Sequence, residues 1–96
     1  VIELRQSAVF VKWLGDLRDM TARLRIAARL RRVEHGNFGD VKPVGDGVRE
    51  LRIDYGPGYR VYFTQRGQEI VILLCGGDKR TQAADIAHAK RLAKEI

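Results

Sequence analysis

The chain has little of what marks a secreted, metal-binding or membrane-spanning protein. Cys75 is its only cysteine, so no internal disulfide can form and a cross-linked extracellular scaffold is excluded. Set at the end of the apolar run Ile70 to Leu74, that thiol reads as a small hydrophobe rather than a nucleophile. His35 and His88 are the only histidines and stand far apart. With one cysteine they offer no zinc-ligand spacing, and neither a metal nor a cofactor is expected. No run is long and apolar enough to cross a bilayer and no leader is visible, so the expectation is a cytoplasmic protein with no membrane partner. Carboxylates are scarce too: 12 Asp and Glu stand against 18 Lys and Arg, a net charge of +6. That sign favours an anionic partner, either nucleic acid or an acidic protein surface.

What is present is a globular composition on a small scale. With 96 residues, 45% of them hydrophobic, one domain spanning 1–96 around a single core is expected, and disorder is not. The organising stretch is Glu50 to Phe63, where two runs rich in β-branched and aromatic residues flank the turn Gly56-Pro57-Gly58. Alternation puts Leu51, Ile53 and Tyr55 on one face of the hairpin and Glu50, Arg52 and Asp54 on the other. On the returning strand Tyr59, Val61 and Phe63 oppose Arg60, Tyr62 and Thr64 in the same way.

Upstream, Val1 to Arg5 alternates and reads as a short strand. Ser7 is a helix cap, and Phe10, Trp13, Leu14 and Leu17 recur at helical spacing. Thr21 is read as the cap of a second helix reaching about His35, stopped by Gly36 and Asn37, with Ala22, Ile26, Leu30 and Val33 on its buried face. Gly36 to Gly47 reads as a loop, because Gly39, Pro43, Gly45 and Gly47 break any regular element. Glu69 to Cys75 is an apolar strand buried on both faces and ended by Gly76-Gly77. Thr81 caps a last helix whose small apolar residues imply shallow docking. The order is β-α-α-β-β-β-α, an α+β domain with an antiparallel sheet packed on two N-terminal helices.

If the last strand pairs with Tyr59 to Thr64, the Asp78-Lys79-Arg80 corner falls beside the Gly-Pro-Gly turn, near Arg60. Arg52, Arg60, Lys79 and Arg80 would then form a phosphate clamp, since guanidinium groups match phosphate oxygens in a two-pronged geometry. Cutting RNA without a metal also needs a group to take the 2′-hydroxyl proton and another to protonate the leaving oxygen. Glu50, Tyr62, Asp78 and Asp85 are the candidates. The bland alternative is that Arg52 pairs with Glu50 or Asp54 across an exposed sheet face. On the second helix Arg25, Arg29 and Arg32 make a row, either a solvated flank or a contact to RNA backbone or an acidic partner.

The run Gly47-Val48-Arg49-Glu50-Leu51-Arg52-Ile53, the strand Gly58-Tyr59-Arg60-Val61-Tyr62-Phe63 and the segment Leu74 to Gln82 resemble the RelE/ParE toxin superfamily. The similarity extends to Trp13-Leu14 with Asp19, the Arg-rich second helix and Gly36-Asn37-Phe38-Gly39-Asp40, and is nearest to the phage-derived, HigB-like branch of addiction module killer proteins. The resemblance implies the compact RelE-like fold and the toxin of a type II toxin–antitoxin pair, with a helix-turn-helix DNA-binding antitoxin as partner. It further implies a ribosome-dependent mRNA endonuclease (an mRNA interferase) that works without a metal. Arg60 matches the arginine that contacts the scissile phosphate, Arg52 a basic position on the preceding strand, and Lys79 or Arg80 the basic residue after the last strand. Arg25, Arg29 and Arg32 would grip ribosomal RNA, and Glu50, Tyr62 or Asp85 would move protons. Two positions depart from RelE: Glu50 stands where it has a lysine, and Ile86, beside Asp85, where it has a tyrosine. The alternatives are a ParE-like toxin acting on DNA gyrase by protein contact, and a catalytically weak antitoxin-binding module.

Overall fold

The computed structural model describes residues 1–96. The elements are β1 (Glu3–Gln6), α1 (Ala8–Asp16), α2 (Met20–Glu34), β2 (Val41–Gly45), β3 (Val48–Ile53), β4 (Tyr59–Arg66), β5 (Ile70–Asp78), a short 3₁₀ turn (Lys79–Thr81) and α3 (Gln82–Lys94). The strands form one sheet in the order β1-β5-β4-β3-β2. The α+β class expected from the sequence holds, with the RelE-like arrangement of a small sheet and its helices.

Three expectations about the sheet need correction. The sheet is mixed rather than antiparallel, because β1 runs parallel to β5. It also has a fifth strand, β2, inside the stretch read as a loop. Pro43 is tolerated there because β2 is an edge strand, with one neighbour to hydrogen-bond. Asp46 and Gly47 both have positive φ (56° and 76°) and join β2 to β3. This is the two-residue Asp-Gly hairpin turn, whose backbone twist suits antiparallel strands. Finally, Gly76-Gly77 does not end β5, which continues through both to Asp78.

The starts of α1 and α2 follow local chemistry, whereas Thr81, at the N-cap position of α3, makes no capping hydrogen bond. Ser7 accepts a hydrogen bond from the Phe10 amide at 3.0 Å, and its hydroxyl donates to the Leu74 carbonyl at 2.6 Å, so the cap also ties α1 to the sheet. The α2 cap is Asp19 rather than Thr21: its carboxylate accepts from the Ala22 amide at 3.2 Å, leaving Thr21 in the first turn.

The sheet is covered on both faces. Phe10 of α1 and Ile26, Leu30 and Val33 of α2 pack on Leu51, Ile53, Val61, Phe63, Val71 and Leu73. On the opposite face Val48, Tyr62, Ile72, Leu74 and Cys75 lie against Ala89 of α3. Burying a side chain as completely as Phe10 stabilises by about 1.5–3 kcal/mol. The small residues of α3 let that helix sit close, with Ala89 wholly buried and Ile86, Leu92 and Ala93 packed around it. A bulge between β4 and β5 pairs Tyr62 with Cys75 but Phe63 with Leu73. Leu74 and Cys75 therefore both join the α3-side core, and the end of β5 is re-aimed. The cysteine is buried, and burial, with Asp85 adding to it, pushes its thiol up to about 12.

Candidate anion-binding site

Register brings the clamp residues together. On the β3–β4 ladder Arg52 lies opposite Arg60, and Glu50 opposite Tyr62. Two like charges directly across a ladder repel, so the arginine pair needs anionic neighbours. The structure supplies a different one to each. Arg52 donates from Nη2 and Nε to one oxygen of Asp40, at 2.7 and 3.1 Å. This hydrogen bond holds the Asp40 carboxyl below its ordinary value. Arg60 is largely buried, and its Nη1 lies 3.6 Å from Oε1 of the fully buried Glu50. Arg52 thus pairs with neither Glu50 nor Asp54, the partners that the alternative of a simple ion pair on the sheet face offered it.

Behind Arg60 lies a buried polar network. Glu50 Oε2 accepts from the Tyr62 hydroxyl at 2.9 Å and from Gln82 Nε2 at 2.8 Å. Burial first, and then the Glu50 hydrogen bond, raise the Tyr62 phenol far above its ordinary value, so it stays a donor. Glu50 Oε1 and Arg60 Nε are buried without a hydrogen-bond partner. Asp85, in the first turn of α3, accepts from the Thr81 hydroxyl at 2.6 Å and sits over Gly77, where a Cβ would strike its carboxylate.

In front of Arg60 a cavity of about 230 Å³ opens, lined by Asp40, Arg52, Asp54, Gly58, Arg60 and Lys79, with Ile53 beside them. The Lys79 stem lies along Gly58, whose positive φ of 83° keeps the turn tight enough for that approach. Arg80 is turned away: its side chain is 80% exposed and pairs with Asp78 at 2.8 Å. Of the two basic residues after β5, Lys79 is the one that faces Arg52 and Arg60. Glu50, Tyr62 and Asp85 are not among the residues that line the cavity.

The α2 row borders a second cavity of about 310 Å³, lined by Arg25, Ala28, Arg29, Arg32, Ile53 and Asp54. Ile53 and Asp54 belong to both cavities, so the two are contiguous. Within the row, Arg25 lies over the Tyr55 ring at 4.7 Å. Arg29 donates to the carbonyls of Arg52, Phe38 and Asp40, stitching α2 to the sheet edge. Burial and the neighbouring Arg32 hold its guanidinium below its ordinary value. Arg32 is the member without such a tie.

Together the two cavities present six cations, Arg25, Arg29, Arg32, Arg52, Arg60 and Lys79, against Asp40 and Asp54. Guanidinium and ammonium groups match phosphate oxygens in charge and geometry, and three of these cations surround one small volume. Sequence reasoning missed Asp40 and Gln82. The Asp-Gly turn signal would have placed Asp40 beside β3, whereas nothing local links Gln82 to Glu50, 32 residues away.

Residues 12–95 match the family described as phage-derived protein Gp49-like. An uncharacterized protein of Haemophilus influenzae is 50% identical over 95 residues, covering 99% of this chain and 96% of that protein. No solved structure matches the chain.

Proposed function

The chain belongs to the phage-derived Gp49-like family, and from that membership we propose that it is the toxin of a type II toxin–antitoxin system, of the HigB-like kind, acting in the cytoplasm. Residues 1–96 make up the toxin domain. Its activity is ribosome-dependent cleavage of mRNA without a metal, and its partners are the ribosome, mRNA and a helix-turn-helix antitoxin. One observation carries this reading. Arg52, Arg60 and Lys79, from two strands and the turn after a third, converge on one cavity.

In this reading the scissile phosphate sits between the three cations. Arg60 is held from behind by Glu50, itself fixed by Tyr62 and Gln82. Those residues position the guanidinium before substrate arrives, so no reorganisation is needed as charge builds on phosphorus. The 2′-oxygen attacks phosphorus, the bond to the 5′-oxygen breaks, and a proton passes from the first oxygen to a base while the second receives one. Asp54, a carboxylate of the cavity with no arginine on it, takes the first proton. Lys79 gives the second, because of the three cations only an ammonium can part with one.

The test is induction of the chain and its variants in cells, with growth and mRNA fragments as readouts. Arg60→Ala and Lys79→Ala should abolish both arrest and cleavage; a folded Lys79→Ala variant as toxic as the parent would remove the clamp from the mechanism. Lys79 matters here because Arg60→Ala also strands a buried Glu50. The sealed position of Glu50 and Tyr62, together with Ile86 in place of the final-helix tyrosine, favours as second reading a non-nuclease toxin acting on DNA gyrase. A DNA-damage response without mRNA fragments would select that reading. Harmless overexpression of folded protein would leave an antitoxin-binding module.

A further inference from the structure

Helix α2 buries one apolar stripe and leaves a short aliphatic patch, Leu24, Ala27 and Ala28, on its outer side. Ala22, Ile26, Leu30 and Val33 are buried against the sheet. On the opposite side of the helix, Leu24, Ala27, Ala28, Arg31 and His35 recur at intervals of three and four residues. With Arg32 they line the largest concavity of the molecule, about 560 Å³, and nothing in the chain covers it. Leu24 is 66% exposed and Met20, one turn earlier, 61%. The outer side therefore combines a short aliphatic patch with a basic rim, and nothing in the chain packs on it.

We propose that this outer face of α2 docks an acidic amphipathic helix of a partner chain. Three features fit that occupant. The floor is made of Ala27 and Ala28, which let a second helix approach closely between Leu24 and His35. The stripe from Leu24 to His35 is about 16 Å long, or three turns of a partner helix. Its rim is Arg31 and Arg32, so carboxylates flanking an apolar ridge are selected. The same rim, on a chain of net charge +6, opposes pairing with a second copy. For an RNA strand it offers one imidazole at its end, that of His35, and an otherwise aliphatic floor.

The position has a consequence for the anion site. Ala28 and Arg32 line both this concavity and the cavity of Arg25 and Arg29, which adjoins that of Arg60. A helix seated on the outer face of α2 therefore engages Arg32 and withdraws it from the phosphate row. Partner and RNA compete for one residue while the Arg60 cavity itself stays open. The proposal rests on the toxin–antitoxin reading, with the docked helix belonging to the antitoxin.

The experiment is co-expression of the full chain with the protein encoded beside it, followed by calorimetric titration of the purified pair. Leu24→Glu and the double variant Leu24→Glu/Ala27→Glu should keep the parent's circular dichroism and toxicity. They should lose at least about thirtyfold in affinity, the scale of a central interface residue, and should no longer be rescued by the partner. Leu24→Met should bind as the parent does. Unchanged affinity of the folded double variant would overturn the docking site and leave the toxin reading standing. Absence of any complex with the parent chain would overturn both. Self-association of the parent that Leu24→Glu abolishes would assign the face to a second copy and reject the acidic helix.

Discussion

Arg60 and Glu50 are each buried, and each is tolerated because of the other. Glu50 receives hydrogen bonds from Tyr62 and Gln82 on one oxygen and the Arg60 charge on the other. Glu50→Ala would leave a guanidinium with little solvent and no counter-charge, and should cost about 3–5 kcal/mol in urea denaturation. A loss below about 1 kcal/mol would mean that Arg60 finds compensation elsewhere. The exposed pair differs in scale and in pH dependence. Asp40 is lowered from the ordinary 3.8 chiefly by its hydrogen bond from Arg52. A carboxyl with a depressed native value contributes stability that is complete above the unfolded value and is lost as pH falls through the native one. Stability should therefore decline below about pH 4, and Asp40→Asn should flatten part of that decline in acid titration followed by circular dichroism. The effect is small, because both side chains are substantially open to water.

The end of β5 is where elements on both faces press against backbone. A Cβ at Gly76 would enter the Trp13 ring of α1, and one at Gly77 would strike the Asp85 carboxylate of α3. The glycine pair is a place of close approach from two sides. A carboxylate can swing aside, whereas an indole packed between Phe10 and Tyr59 cannot. Gly76→Ala should therefore destabilise by about 1–3 kcal/mol, as overpacked cores do, and Gly77→Ala by less. Melting temperatures of the two variants check the order; equal shifts would mean that the indole moves as freely as the carboxylate.

At the scale of the whole molecule, a basic chain gathers its cations where β3, β4 and the turn after β5 meet, then continues them along α2. Binding of a single strand at such a surface releases counterions, by about 0.7 in log–log slope for each phosphate neutralised. With one phosphate held by Arg52, Arg60 and Lys79 and about two more along the α2 row, a short RNA titrated by fluorescence anisotropy should show a slope of about −2, and Lys79→Ala should shift it toward zero. A slope unchanged by that substitution would place the RNA elsewhere on the molecule.

What the chain's order of residues determined was local. The Ser7 cap, the periodicity of α1 and α2, the stop at Gly36 and the hairpin around Gly56-Pro57-Gly58 all depend on groups within a few residues of one another. The convergence of Arg52 and Arg60 was legible for the same reason, since a hairpin register follows from its turn. Even the fifth strand was signalled locally, by Asp46-Gly47, though its glycines and proline argued for a loop. Tertiary structure alone decided the rest. It seated β1 parallel to β5, with the Ser7 hydroxyl on a carbonyl 67 residues away. It sealed Glu50 and Tyr62 under α3, gave Asp40 to Arg52, and chose Lys79 over Arg80. Those outcomes depend on which faces meet when helices pack on a sheet, and alternation along a strand says which residues share a face, not what will cover it.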